Sequence, residues 1–106
     1  GLPNDKNHAL QKRYSPKGAG SVFTFGLKGG YEAGIRFVEG LELFSHLANI
    51  GDTKSLVIHP ASTTHRQLSD EQKIAAGAAP EVVRLSVGIE DVNDIVADLE
   101  QALAKA

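Results

Sequence analysis

The sequence predicts a two-layer sandwich of the α/β or α+β class, an open sheet covered on one face by helices. Three observations carry this. Segments with helical spacing and segments with strand alternation follow one another as α, β, α, β, (β), α, β, α. Val82–Glu90 reads as a strand by composition and by alternation. The C-terminal segment carries a single apolar stripe over about three helical turns.

The chain has 106 residues, enough for one modest domain. Residues 1–20 read as a linker and first helix, and 21–106 as the sheet-and-helix body. Its net charge of −2 gives no electrostatic case for a nucleic-acid or anionic-membrane partner. No apolar run reaches the roughly 18 residues that a membrane span needs. Cysteine is absent, which excludes disulfides and thiolate metal sites and fits a reducing cytoplasm. Methionine is also absent. The chain therefore reads as a piece of something longer.

Leu2-Pro3 is extended, because a residue before proline avoids the α region. Asn4 is expected to cap a helix running to about Tyr14, with Asp5 in its first turn. Its apolar stripe (Ala9, Leu10, Tyr14) is thin. Ser15–Gly20 is a turn by composition. Ser21–Leu27 is a strand with Phe23, Phe25 and Leu27 on one side, stopped by Lys28-Gly29-Gly30.

Tyr31 to about Glu39 is helical, with Tyr31, Ile35 and Val38 at i, i+4 and i+7. Gly34 is unfavourable there by roughly 1 kcal/mol relative to alanine, which points to close packing against a neighbour. Leu41–Leu47 is expected to continue as a short helical turn, and Leu47–Ile50 as a brief strand. Ser55–Ile58 is a short apolar run stopped by Pro60. His59–His65 is a hydroxyl-rich loop. Ser69-Asp70-Glu71-Gln72 fits a capping box and opens a short helix that Gly77 ends.

On the Val82–Glu90 strand, Val83, Leu85, Val87 and Ile89 share one face, and Arg84 shares the other with Val82 and Ser86. Arginine in such a strand is costly to bury without an anionic partner. That partner is either internal or a ligand carboxylate, and the residues alone do not choose. Asp91 is a good N-cap for the last helix, whose stripe is Val92, Ile95, Val96, Leu99 and Leu103. Asp94, Asp98, Glu100 and Lys105 are expected to be solvated.

Two separated stretches carry a resemblance. Ser55-Leu-Val-Ile-His-Pro-Ala-Ser-Thr-Thr-His65, then Val83-Arg-Leu-Ser-Val-Gly-Ile-Glu-Asp91, resemble the C-terminal domain of the pyridoxal-phosphate enzymes of cysteine and methionine metabolism. Phe25–Gly34 and Gly51–Leu56 extend the likeness over nearly the whole chain. Within the family, Ser62–His65 and Leu85–Glu90 are worded most like the O-acetylhomoserine sulfhydrylases. Cystathionine γ-synthases and lyases and methionine γ-lyases are the alternatives.

The resemblance implies the C-terminal domain of a fold-type I enzyme, with a mainly antiparallel sheet and helices on one side. It implies that Arg84 holds the α-carboxylate of an amino-acid substrate, a role for which a planar guanidinium fork is suited and lysine is not. It implies that the Ser55 N–H assists at the same carboxylate. Pyridoxal 5′-phosphate would be the cofactor, bound through a lysine of a larger upstream domain of the same enzyme. Thr53-Lys54 is the wrong context for that lysine, so no catalytic or cofactor-binding residue is expected in this chain, and the chain alone is expected to be inactive. The full enzyme would be a cytoplasmic homotetramer making homocysteine and acetate from O-acetylhomoserine and sulfide.

Other readings stand beside these. His59 and His65 lack an evident third ligand, so no metal site is expected. Ser62–His65 either line an active-site mouth or satisfy their own backbone. A free-standing, non-catalytic amino-acid-binding module is the reading of another class.

Overall fold

A computed structural model describes residues 1–106. Four strands form one sheet in the order β1-β4-β3-β2. They are β1 (Val22–Gly26), β2 (Ser45–His46), β3 (Leu56–Ile58) and β4 (Val82–Ser86). β4 is antiparallel to both β1 and β3, and β2 runs parallel to β3. The helices are α1 (His8–Tyr14), α2 (Gly30–Gly40), α3 (Asp70–Ala75) and α4 (Val92–Lys105), with a 3₁₀ turn at Pro60–Ser62.

α2 and α4 pack on each other and on one face of the sheet, giving the expected two layers. Val57, Val83 and Leu85 point from the sheet into a core with Phe37 and Val38 of α2 and Ile95 and Ala102 of α4. Phe37 is fully buried and meets Phe25 edge-on at 5.5 Å between ring centroids. A side chain of that size contributes roughly 2–3 kcal/mol by leaving water. Beyond α2, Leu41 and Phe44 close the same core from the connecting segment.

Several expectations are corrected. α1 begins at His8, because the Asp5 carboxylate turns back to accept the Asn7 N–H and holds the preceding residues in a turn. Its apolar residues stay exposed, and the helix buries nothing. α2 buries Ala33, Gly34, Phe37 and Val38, so of the expected stripe Tyr31, Ile35 and Val38 only Val38 is buried. The i, i+4, i+7 spacing was satisfied equally by a neighbouring stripe one residue round the helix. Leu41–Leu47 contains no helical turn, since Leu41 is extended and the strand falls at Ser45–His46, not at Leu47–Ile50.

β4 ends at Ser86, so Ile89 lies beyond the ladder and is 83% exposed. On α4, Val92, Val96 and Leu103 are exposed and Asp98 is buried. The buried line is Ile95, Asp98 and Ala102, with Leu99 beside it.

A carboxylate on the buried side of a helix requires partners. Asp98 Oδ1 accepts the Glu42 N–H at 2.9 Å, and Oδ2 accepts those of Leu43 at 2.8 Å and Phe44 at 3.3 Å. The Gln101 amide also donates to Oδ1. Burial by itself raises the Asp98 carboxyl, but these donors outweigh it and hold the group below its ordinary 3.8. Asp98 thereby pins the α2–β2 connection to α4.

The start and stop signals at α3 and α4 are as read. Ser69 and Gln72 form the reciprocal capping box of α3. Gly77 follows that helix at φ +77°, a conformation that disfavours any side chain. Asp91 accepts the Asn93 N–H at the start of α4.

Candidate functional site

Arg84 lies at the middle of β4, one of the two interior strands of the sheet. Its cross-strand partners are Thr24 on β1 and Ile58 on β3. Register therefore places Val22, Thr24, Leu56, Ile58, Val82 and Ser86 on the same sheet face. None of these is acidic, so the sheet around Arg84 supplies no counter-charge. The opposite face carries Val57, Val83 and Leu85 under the helices.

Leu56, Ile58 and Ser86 are buried, and Arg84 is half-buried. A guanidinium on an apolar, partly desolvated floor interacts strongly with any anion that reaches it. Ser86, two residues along, has a buried hydroxyl with no hydrogen-bond partner. Sequence reasoning missed that group, because a serine in a strand gives no sign of whether its hydroxyl is satisfied.

Ser55 immediately precedes β3 and is fully buried. Its N–H donates to the Glu90 carboxylate, at 2.9 Å to Oε2 and 3.1 Å to Oε1. Its hydroxyl donates to Oε1 at 3.1 Å and accepts the Gly88 N–H at 2.8 Å. The structure thus places Ser55 just before the strand that pairs with that of Arg84, with the Ser55 N–H already given to an internal carboxylate. An incoming carboxylate would have to displace Glu90. The Ser55 N–H leads the effects that hold the Glu90 carboxyl below its ordinary value; burial opposes it, and the Ser55 hydroxyl and the Lys54 charge assist.

His59 is buried against α2, with its ring edge-on to Tyr31. Nε2 lies 2.6 Å from the Pro80 carbonyl oxygen, which can only accept, so Nε2 carries the proton. Nδ1 lies 2.8 Å from Ser62 Oγ. Thr63 Oγ1 donates to the His59 carbonyl, and Thr64 Oγ1 lies 2.8 Å from His65 Nδ1. The hydroxyls of Ser62 and Thr63 thus bond to His59, and that of Thr64 to its neighbour His65. A pocket of about 250 Å³ lies between α2 and this turn, lined in part by Glu39, His46, His59 and Thr63. No three His, Cys, Asp or Glu side chains are grouped to hold a metal ion.

Residues 1–104 match the family model described as Cys/Met metabolism PLP-dependent enzyme. The chain is 58% identical over 104 residues to O-acetyl-L-homoserine sulfhydrylase 1 of Thermus thermophilus, covering 98% of this chain and 25% of that protein. It superimposes at a TM-score of 0.86 on the metY protein of Campylobacter jejuni, whose crystal structure carries N′-pyridoxyl-lysine-5′-monophosphate. That match has 43% identity and covers 97% of this chain and 24% of the other. Cystathionine γ-synthase of Xanthomonas oryzae, crystallised with cystathionine, also matches at a TM-score of 0.86, with 40% identity over 99% of this chain and 27% of the other. The chain thus spans about a quarter of the length of the relatives it matches.

Proposed function

This chain belongs to the Cys/Met metabolism PLP-dependent enzymes, and from that premise we propose that it is the C-terminal, substrate-carboxylate-binding domain of an O-acetylhomoserine sulfhydrylase. The single observation that carries the reading is Arg84, half-buried on a central strand among neighbours that offer no acid. The 58% identity to a sulfhydrylase supports the sulfhydrylase assignment; the two solved structures differ little, at 43% and 40%.

The family cofactor is pyridoxal phosphate, which supplies an electron sink for carbanion chemistry when bound. A lysine that forms a Schiff base is activated by desolvation or a neighbouring cation. The lysines here are exposed, save the half-buried Lys73. We therefore place cofactor binding on an upstream domain and route no step of this chain through it.

What this chain does is bind and orient. The Arg84 fork meets a carboxylate bidentately, which fixes both the position and the plane of that group. With the carboxylate held, the rest of the amino acid has one orientation in which to react, and that positioning lowers the entropic part of the barrier. The face on which Arg84 stands excludes water through Leu56, Ile58 and Val82, which strengthens the ion pair. Ser55 serves a different part in this reading from the one its motif implies. It ties the start of β3 to the Gly88–Glu90 turn.

The test is to assay the full-length enzyme with O-acetylhomoserine and either sulfide or cysteine. Homocysteine formation from sulfide as the faster reaction supports the assignment. Cystathionine formation as the faster reaction would replace it with the γ-synthase reading.

A further inference from the structure

Two segments far apart in sequence close on each other at one end of the β3–β4 ladder. Glu90 takes the Ser55 N–H on both carboxylate oxygens and the Ser55 hydroxyl on one. The Gly88 N–H donates to that same hydroxyl, and the Ile89 N–H donates to the Thr53 carbonyl at 2.9 Å. The backbones approach so closely that a Cβ on Gly88 would overlap the Thr53 carbonyl oxygen and meet Lys54 C at 2.7 Å.

This clasp adjoins the pair Leu56↔Ser86, and Arg84 lies opposite Ile58 two pairs further in. β3 is only three residues long, so its own ladder to β4 is short. β4 is held by five pairs to β1, so a slip of one residue would fall on β3 and exchange its faces, taking Leu56 and Ile58 away from the side on which Arg84 stands. The clasp lies where such a slip would begin. We propose that Glu90, acting through Ser55, is a positioning residue that locks the β3–β4 register and so keeps Leu56 and Ile58 on the side from which Arg84 meets the substrate carboxylate. The proposal rests on the reading of Arg84 given above.

A carboxylate suits the task and a carboxamide does not. Glu90 accepts on both oxygens and donates nothing, matching the N–H and O–H that Ser55 presents. In Glu90→Gln one oxygen becomes an NH₂ that faces a donor.

The experiment is steady-state kinetics on the full-length holoenzyme carrying Glu90→Gln, Arg84→Ala and the pair together, with cofactor absorbance and melting temperature recorded for each. The expected result for Glu90→Gln is a KM for the amino-acid substrate raised about tenfold, with kcat within about threefold and the cofactor band unchanged. The double variant should have the KM of Arg84→Ala alone, because residues acting through one another are not additive. A Glu90→Gln enzyme with a lowered melting temperature and an unaltered KM would overturn the proposal, as would effects that multiply in the double variant. If Glu90→Gln does not fold, Ser55→Ala serves, since it keeps the N–H leg and loses the hydroxyl. It should raise KM by roughly threefold, and an unchanged KM there would overturn the proposal equally. Arg84→Ala with an unchanged KM would instead refute the reading of Arg84 itself, whatever Glu90 does.

Discussion

The imidazole of His59 occupies the space that a side chain on Gly34 would need. A Cβ built on Gly34 would lie 2.7 Å from both Cδ2 and Nε2 of the ring. That is the neighbour for which a glycine in mid-helix is required. The ring cannot swing aside without giving up Pro80 and Ser62. Gly34→Ala should therefore destabilise the protein by about 1–3 kcal/mol through overpacking, despite alanine's better helix propensity. Urea denaturation measures this. A stabilised variant would show that the ring relocates freely.

Asp98 makes the second prediction. Its carboxylate is the acceptor for three successive N–H groups of the α2–β2 connection. Asp98→Ala leaves those donors without their partner and should cost about 2–4 kcal/mol. Asp98→Asn keeps an acceptor and should cost less. Thermal unfolding of the two variants at neutral pH checks the order.

Acid should act through Glu90 and Asp98. Both carboxyls titrate below their ordinary values in the folded chain. A depressed folded pKa contributes stability that is present above the unfolded pKa and is lost as pH falls through the folded one. The unfolded references are 4.5 for Glu90 and 3.8 for Asp98. Their contribution should hold above pH 4.5 and fade progressively below it. Urea midpoints measured from pH 6 down to about 3 should fall in wild type and fall less in Asp98→Asn, where Glu90 alone remains. An equal fall in that variant would assign the acid sensitivity elsewhere.

The sheet was legible because β-branched runs and alternation mark Val82–Ser86 and Leu56–Ile58, and because Asp91 and the Ser69–Gln72 box announce their helices locally. The helix faces were harder to read. Ile95, Val96 and Leu99 look equivalent in sequence, and the face was decided by a polar group, Asp98, whose partners lie 54 to 56 residues away. Nothing local signals such a partnership. Ser45–His46 was missed for a related reason: two residues become a strand only because β3 is beside them. At the candidate site, alternation put Arg84 on the face away from the core. The occupation of the Ser55 N–H by Glu90 depends on a contact across 35 residues that no spacing rule anticipates.

The central claim is that Arg84 binds the carboxylate of the amino-acid substrate, and Arg84→Ala in the full-length enzyme tests it most directly. Removing a desolvated, bidentate charge pair should cost about 3 kcal/mol, or roughly a hundredfold in KM for O-acetylhomoserine. The cofactor absorbance should be retained, since no part of this chain is assigned to hold that group, and Arg84→Lys should recover only part of the loss. A variant that keeps the wild-type KM would contradict the account.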